Sequence, residues 1–158
     1  MDVYLLRHGE AVPHDSRETD ADRELTPCGA AQSTAAGKAL AALSVEFAAA
    51  YASPKIRARD TARLAAGHLG ITVTEDDSIA SGFDVDALHE LLHAHDEGDH
   101  VLVAGHDPDF TQLVLDLTGA RVSFPKGGIA VVRLRGGRGE LRSFLRPKAL
   151  QALSTAVS

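Results

Sequence analysis

Four side chains in this sequence have the types and positions to handle an anionic group. Arg7 and His8 stand directly after the apolar run Val3–Leu6 in "LLRHGEA"; Arg57 stands at the start of a helical stretch in "SPKIRARDTA"; His106 follows "HVLVAG". In open α/β sheets ligands bind beyond the carboxyl ends of the strands, so residues that follow strands directly are the ones to examine. Two guanidiniums offer fork-shaped donors for a tetrahedral oxyanion, and two imidazoles can divide the work of nucleophile and donor, a set suited to phosphoryl transfer without a metal. Gly9 lets the backbone turn sharply beside such a ligand. Pro108, expected as the first residue of a helix, would leave free N–H groups aimed back toward His106.

A rival chemistry is spelled out by "HELLHAHDEGDH", whose first five residues, His89 to His93, match the H-E-x-x-H helix of zinc hydrolases with Glu90 as base. On a helix of 100° per residue, Val85, Leu88, Leu91, Leu92 and His95 fall on one side and Asp86, Glu90 and Glu97 on the other. His89 and His93 share a face that borders solvent, and Asp96 and Asp99 stand where the extended pattern H-x-x-G-x-x-H requires its glycine and its third histidine ligand. The stretch therefore reads as the solvated flank of an amphipathic helix. Taken singly, an Arg-His pair after a strand is an ordinary surface pair, and the joint placement of Arg7, His8, Arg57 and His106 is what argues for a site. A module that binds phosphate without turning it over would use the same four residues.

The elements that must position these residues alternate. Short apolar or β-branched runs at "VYLL", "VEFAAAYAS", "ITVTE" and "HVLVAGH" are separated by helical stretches. Thr26 caps and Pro27 opens the first helix; the second follows Ser53 and Pro54 and stops at Gly70; the third covers about Val85 to Asp96; the fourth runs from Pro108 to before Gly119. "IAVVRLRGGRGELRSFL" reads as a hairpin turning at Gly136 and Gly137, and the tail after Pro147 as a short or frayed helix. The expected fold is a three-layer α/β/α sandwich with a mostly parallel central sheet and a C-terminal antiparallel hairpin, one domain over residues 1–158. With 158 residues, 44% hydrophobic but 4% aromatic, the core must be built from Ala, Leu and Val. A net charge of -6 with scattered Lys and Arg offers no basic stripe for nucleic acid or an anionic membrane. The lone Cys28 excludes an internal disulfide and reads as an incidental small residue; with no leader and no long apolar stretch, a cytoplasmic protein is expected.

The ordered segments "LLRHGEA", "LTPCGAAQ", "SPKIRARDTA" and "VAGHDPDF", spanning about Val3 to Phe110, resemble the successive signatures of the histidine phosphatase superfamily. Short length, "DRELTPCG" and "GHDP" resemble in particular its small phosphohistidine phosphatases of the SixA type, without the helical insertion usual in the phosphoglycerate mutases. The resemblance implies a phosphoglycerate-mutase-like fold, no cofactor, and an open site in which His8 attacks phosphorus while Arg7, Arg57 and His106 bind the transferring oxygens. His8 would then need a bare ring nitrogen, its other nitrogen donating to a backbone carbonyl, while His106 would serve as a proton-bearing donor. The general acid used by larger members has no fixed position here; Glu75, Asp76, Asp77 and Asp84 lie in the region where it would be sought, with Glu10 expected on the pocket rim. Asp107 would place a negative charge at the mouth unless it caps the following helix. A site poor in acids suits phosphohistidine in a protein partner, whose imidazole leaves more easily than an alkoxide; small phosphomonoesters are the alternative substrate class.

Overall fold

The computed structural model describes residues 1–156; residues 157 and 158, the last two of the expected 1–158 domain, lie outside the described residues. Among the described residues six strands, β1 (Asp2–Arg7), β2 (Ala49–Ala52), β3 (Val73–Glu75), β4 (His100–Gly105), β5 (Ile129–Arg135) and β6 (Arg138–Leu145), form one sheet in the order β3-β2-β4-β1-β5-β6. β1 to β4 are parallel, β5 pairs antiparallel with β1, and β6 returns along β5. Helices α1 (Pro27–Ala42), α2 (Ile56–Ala66), α3 (Val85–Leu92), α4 (Asp109–Thr118) and α5 (Pro147–Ala156) cover both faces, giving the expected α/β/α sandwich with its C-terminal hairpin. None of these helices is long and apolar enough to cross a membrane.

The continuous apolar runs follow from burial on both faces. In β1, Val3 and Leu5 pack in the layer of α3 and α4, whereas Tyr4 and Leu6 pack against α1 and α5; β4 repeats the alternation with Val101 and Val103 against Leu102. β5 and β6 are joined through Gly136 and Gly137, both at positive φ (55° and 78°), the backbone a two-residue hairpin turn requires.

The helix starts follow their caps. Thr26 Oγ1 accepts the Gly29 N–H (3.1 Å) and Pro27 occupies the first turn of α1. Three boundaries differ from expectation. α2 ends at Ala66 rather than running to Gly70, the intervening residues forming turns. α3 ends at Leu92 rather than near Asp96, because the chain is pinned beyond it: the Tyr51 hydroxyl lies 2.6 Å from His95 Nε2, and Asp96 N–H donates to Asp99. Pro108 caps α4 from outside instead of opening it, and Asp107 Oδ1 accepts the Thr111 N–H (3.0 Å).

The alanine-rich faces of α1 and α2 allow the two helices to meet closely. A methyl group built on Gly37 would lie 2.4 Å from the Ala65 carbonyl oxygen, a contact no side chain rotation relieves. Gly→Ala in a helix interior ordinarily stabilises by about 0.5–1 kcal/mol, but here the two helices would have to separate. Gly37→Ala should instead destabilise the fold by about 1–3 kcal/mol in urea titrations, while Gly67→Ala, whose new methyl meets nothing closer than 3.4 Å, serves as control; a stabilised Gly37→Ala protein would refute the tight crossing.

Candidate active site

The register of the parallel strands brings the expected residues together. Arg7 lies opposite Gly105, and Ala52 opposite Ala104, so His8, Ser53 and His106 emerge side by side past the carboxyl edge. The ladder continues one step further: His8 N–H donates to the Gly105 carbonyl (3.0 Å) and Ser53 N–H to that of Ala104 (3.1 Å). The imidazoles of His8 and His106 lie with centroids 5.4 Å apart. Arg57 arrives from the first turn of α2, and Arg7 from the last residue of β1. These four line one cavity of about 300 Å³, together with Lys55, Arg23, His14, Lys126, Asp107 and Asp109.

Glycine is required where the walls close in. A Cβ at Gly9 would stand 2.5 Å from the Gly29 carbonyl oxygen, and one at Gly105 would enter the Phe110 ring (2.7 Å). A buried polar network then fixes the loop after β1. Gly9 N–H donates to Thr61 Oγ1 (3.1 Å), the Thr61 hydroxyl donates to the Arg57 carbonyl (2.7 Å), and the Ser33 hydroxyl of α1 lies 3.2 Å from the same Thr61 oxygen. His8 and Arg57, forty-nine positions apart, are thereby referenced to a single threonine.

His8 Nδ1 lies 2.7 Å from the Gly9 carbonyl oxygen. A carbonyl only accepts, so the neutral ring carries its proton on Nδ1 and presents a bare Nε2. Burial, outweighing the Gly9 bond and reinforced by Arg57, Arg7 and Lys126, lowers its pKa to about 4. Burial, then His8, Arg57 and Lys55, lower His106 to about 3. Both rings are therefore neutral near pH 7, so a bare nitrogen on His8 and a proton-bearing one on His106 call for a difference in which ring nitrogen holds the proton.

The guanidiniums are held from behind. Arg7 Nη1 donates to the Phe124 carbonyl (2.6 Å). Arg57 grips Asp20 twice, Nη1 on the backbone carbonyl (2.8 Å) and Nη2 on the carboxylate (3.0 Å). Burial pushes the Asp20 carboxyl up, but hydrogen bonds from Arg23 and Arg57 and the charges of Arg57 and Lys55 hold it well below the usual carboxylate range. Three buried nitrogens of the cavity-lining residues have no partner among the described residues: Arg7 Nε, Arg57 Nε and His106 Nδ1. Buried polar atoms are ordinarily satisfied, and a tetrahedral oxyanion in the cavity is the kind of group that would satisfy the two arginine donors, and His106 where its Nδ1 carries the proton.

The acidic residues expected near the site do not reach it. Asp76 caps a short turn through Ser78, Asp84 caps α3 through the Ala87 N–H, Glu75 faces Arg63, and neither these nor Asp77 line the cavity. Glu10, expected on the rim, accepts instead from the Thr26 hydroxyl at the start of α1. Asp107 lines the cavity but spends one oxygen on the N–H and hydroxyl of Thr111. Sequence reasoning missed Asp20, Arg23, Lys55, Lys126, Asp109 and Ser53; "SPK" immediately after a strand was the available signal for Ser53 and Lys55. In the zinc reading, His89, Glu90 and His93 are all exposed, and His93 lies past the end of α3. Among the described residues no three His, Cys, Asp or Glu side chains gather as a metal site. Cys28 is exposed and lies outside the cavity.

A cationic cavity at the carboxyl edge of a parallel sheet, lined by two arginines and two imidazoles with one ring nitrogen bare, defines a phosphoryl-handling α/β protein. The sequence model of the histidine phosphatase superfamily (branch 1) matches residues 3–80, a stretch containing Arg7, His8 and Arg57. This match over just under half of the chain, with the solved structures that follow, supports a phosphatase of the histidine phosphatase type. It is similar to the solved structure of the protein histidine phosphatase SixA complexed with tungstate, with 28% identity, a TM-score of 0.85, and coverage of 95% of this chain and 99% of that one. A candidate phosphohistidine phosphatase SixA from Agrobacterium tumefaciens matches at 25% identity and a TM-score of 0.79, over 92% of this chain and 97% of that one. An uncharacterized protein of Picosynechococcus is 28% identical over 150 residues, 90% of each chain.

The two depressed histidines have a measurable sign. With folded pKa values of about 4 and about 3 against 6.5 for the free side chain, the folded protein binds fewer protons than the unfolded chain in between, so both contributions to stability are intact above pH 6.5 and fade on acidification toward pH 4. The Cε1–H resonances of His8 and His106, assigned with His8→Gln and His106→Gln, should keep their neutral shifts at pH 5.5 (roughly one unit below the ordinary histidine value). Titration of either near 6.5 would show that the rings are not held neutral.

Proposed function

We propose that this protein hydrolyses phosphohistidine in proteins through a phosphoenzyme formed on His8. The His8 Nε2 lone pair attacks phosphorus, forming the P–Nε2 bond as the substrate's P–N bond breaks and the departing imidazole takes the bonding pair. Water then attacks the phosphorus of phospho-His8, releasing inorganic phosphate and returning the electron pair to Nε2. Arg7 and Arg57 neutralise the equatorial oxygens, and His106 donates a hydrogen bond to the transferring group. The observation that carries the phosphohistidine reading is the state of the cavity's two carboxylates: Asp107 is committed to Thr111, and Asp109 Oδ2 accepts from the backbone N–H groups of Gly82 (2.8 Å) and Phe83 (3.3 Å). Each therefore has one oxygen taken up within the protein, and none of Glu75, Asp76, Asp77 and Asp84 lines the cavity; an acid dedicated to an alkoxide is not built into this lining, and the labile P–N bond needs little protonic help. The two SixA structures, one described as a protein histidine phosphatase and the other as a candidate phosphohistidine phosphatase, support the same substrate class.

Incubation with a ³²P-labelled phosphohistidine protein tests the reading. The wild type should acquire acid-labile, base-stable label and release phosphate, and His8→Ala should do neither. Arg57→Ala should lose about 10²–10³-fold in kcat. Retained turnover in His8→Ala would sink the mechanism. A kcat/KM greater for phosphoserine or aryl phosphates than for phosphohistidine would replace the substrate class with small phosphomonoesters.

A further inference from the structure

We propose that Ser53 is a positioning residue that fixes the tautomer of His106, placing its proton on Nδ1, the nitrogen left for the transferring group. Ser53 is fully buried and follows β2 directly, with its backbone tied to β4. Its Oγ accepts the Lys55 N–H (3.2 Å), the turn that opens toward α2, and lies 2.8 Å from His106 Nε2. A hydroxyl has one proton and two lone pairs, so two arrangements exist. If Nε2 carried the ring proton it would fill the second lone pair; the hydroxyl proton would then lack an acceptor among the described residues, and Nδ1 would be an unused buried acceptor. If Nδ1 carries the proton, the Ser53 hydroxyl donates to Nε2, the Lys55 N–H is accepted, and one group is left over, the Nδ1–H. The first arrangement strands two buried polar groups and the second only one, a donor owned by a residue that lines a cationic cavity.

The assignment makes the two histidines complementary. His8, its Nδ1 on the Gly9 carbonyl, presents a bare nitrogen; His106, its Nε2 on the Ser53 hydroxyl, presents an N–H. Burial keeps His106 neutral, so without a fixed tautomer part of the population would point a lone pair at an incoming oxyanion. This consequence for catalysis rests on the phosphoryl-transfer reading, whereas the tautomer rests on hydrogen-bond accounting alone.

Long-range ¹H–¹⁵N correlation spectra of the full chain, with His106 assigned by His106→Gln, decide the tautomer without any substrate. The expected spectrum shows a protonated Nδ1 and a bare, hydrogen-bond-accepting Nε2 at neutral pH. Ser53→Ala should yield a mixture of tautomers and lower kcat roughly tenfold or more with little change in KM, and Ser53→Thr, which keeps the hydroxyl, should restore both. A wild-type His106 protonated on Nε2 overturns the proposal, even if Ser53→Ala proves too unstable to study. So does a folded Ser53→Ala protein whose tautomer and kcat match the wild type. An Nδ1-protonated His106 in a chain that transfers no phosphoryl group leaves the assignment standing and removes the functional reading instead.

Discussion

The parallel pairing of β4 with β1 on one side and β2 on the other is the constraint on which the rest of the site depends. Because Arg7 is opposite Gly105 and Ala52 opposite Ala104, three strands end at the same level, and the residues that follow them meet. A slip of one residue in either pairing would turn every side chain of that strand to the other layer, driving Val3 and Leu5 against α1 and dispersing His8, Ser53 and His106 together. Core packing and site assembly are thus enforced by one register. The apolar alternation that buries Val101 and Val103 on one face and Leu102 on the other is also what delivers His106.

On a chain of net charge -6, the cavity gathers Arg7, Arg23, Lys55, Arg57 and Lys126. Such a cluster is tolerable because Asp20 stands among it, paired with Arg57 (3.0 Å), Arg23 (2.9 Å) and Lys55 (3.4 Å). Asp20 is nearly half exposed at its side chain while Arg23 and Arg57 are almost completely buried, so the carboxylate acts as a surface latch over buried guanidiniums. Burying those cations without a partner would cost far more than an exposed ion pair returns. The same pairing orients Arg57 through both terminal nitrogens, which is the geometric precision a planar donor needs.

What the sequence disclosed and what it hid divide along physical lines. Residues adjoining strands and caps were legible, since strand ends, Thr26-Pro27 and the Gly-Gly turn are written in local pattern. Asp20, Arg23 and Lys126 were not, because they sit on loops whose facing is decided by tertiary contacts between residues far apart, such as Asp20 with Arg57. The end of α3 illustrates the same point: the 3.6-residue pattern continues to His95, but the hydroxyl of Tyr51 on β2 captures that histidine and the helix stops short. The H-E-x-x-H spacing was genuine as local pattern and empty as chemistry, for a metal site needs a third ligand that only the fold can bring. Ser53 was visible as a residue after a strand, yet nothing local announces that its hydroxyl meets a histidine fifty-three positions away.

Two neutral imidazoles beside two guanidiniums also explain how the cavity can answer its ligand. In the free site burial and the neighbouring cations both disfavour imidazolium. A phosphoryl dianion placed among these groups reverses the second influence, since an opposite charge within a few ångströms favours the protonated ring. A histidine that donates through Nδ1 and then gains affinity for a second proton strengthens its hydrogen bond as negative charge accumulates, with no positive imidazole stored beforehand. For the attack proposed for His8 the same reversal would compete with a bare Nε2; the Gly9 carbonyl fixes the ring proton on Nδ1, and burial is what opposes a second proton. The asymmetry between the rings therefore depends on their partners: a carbonyl, which can only accept, behind one, and a hydroxyl, which can do either, behind the other.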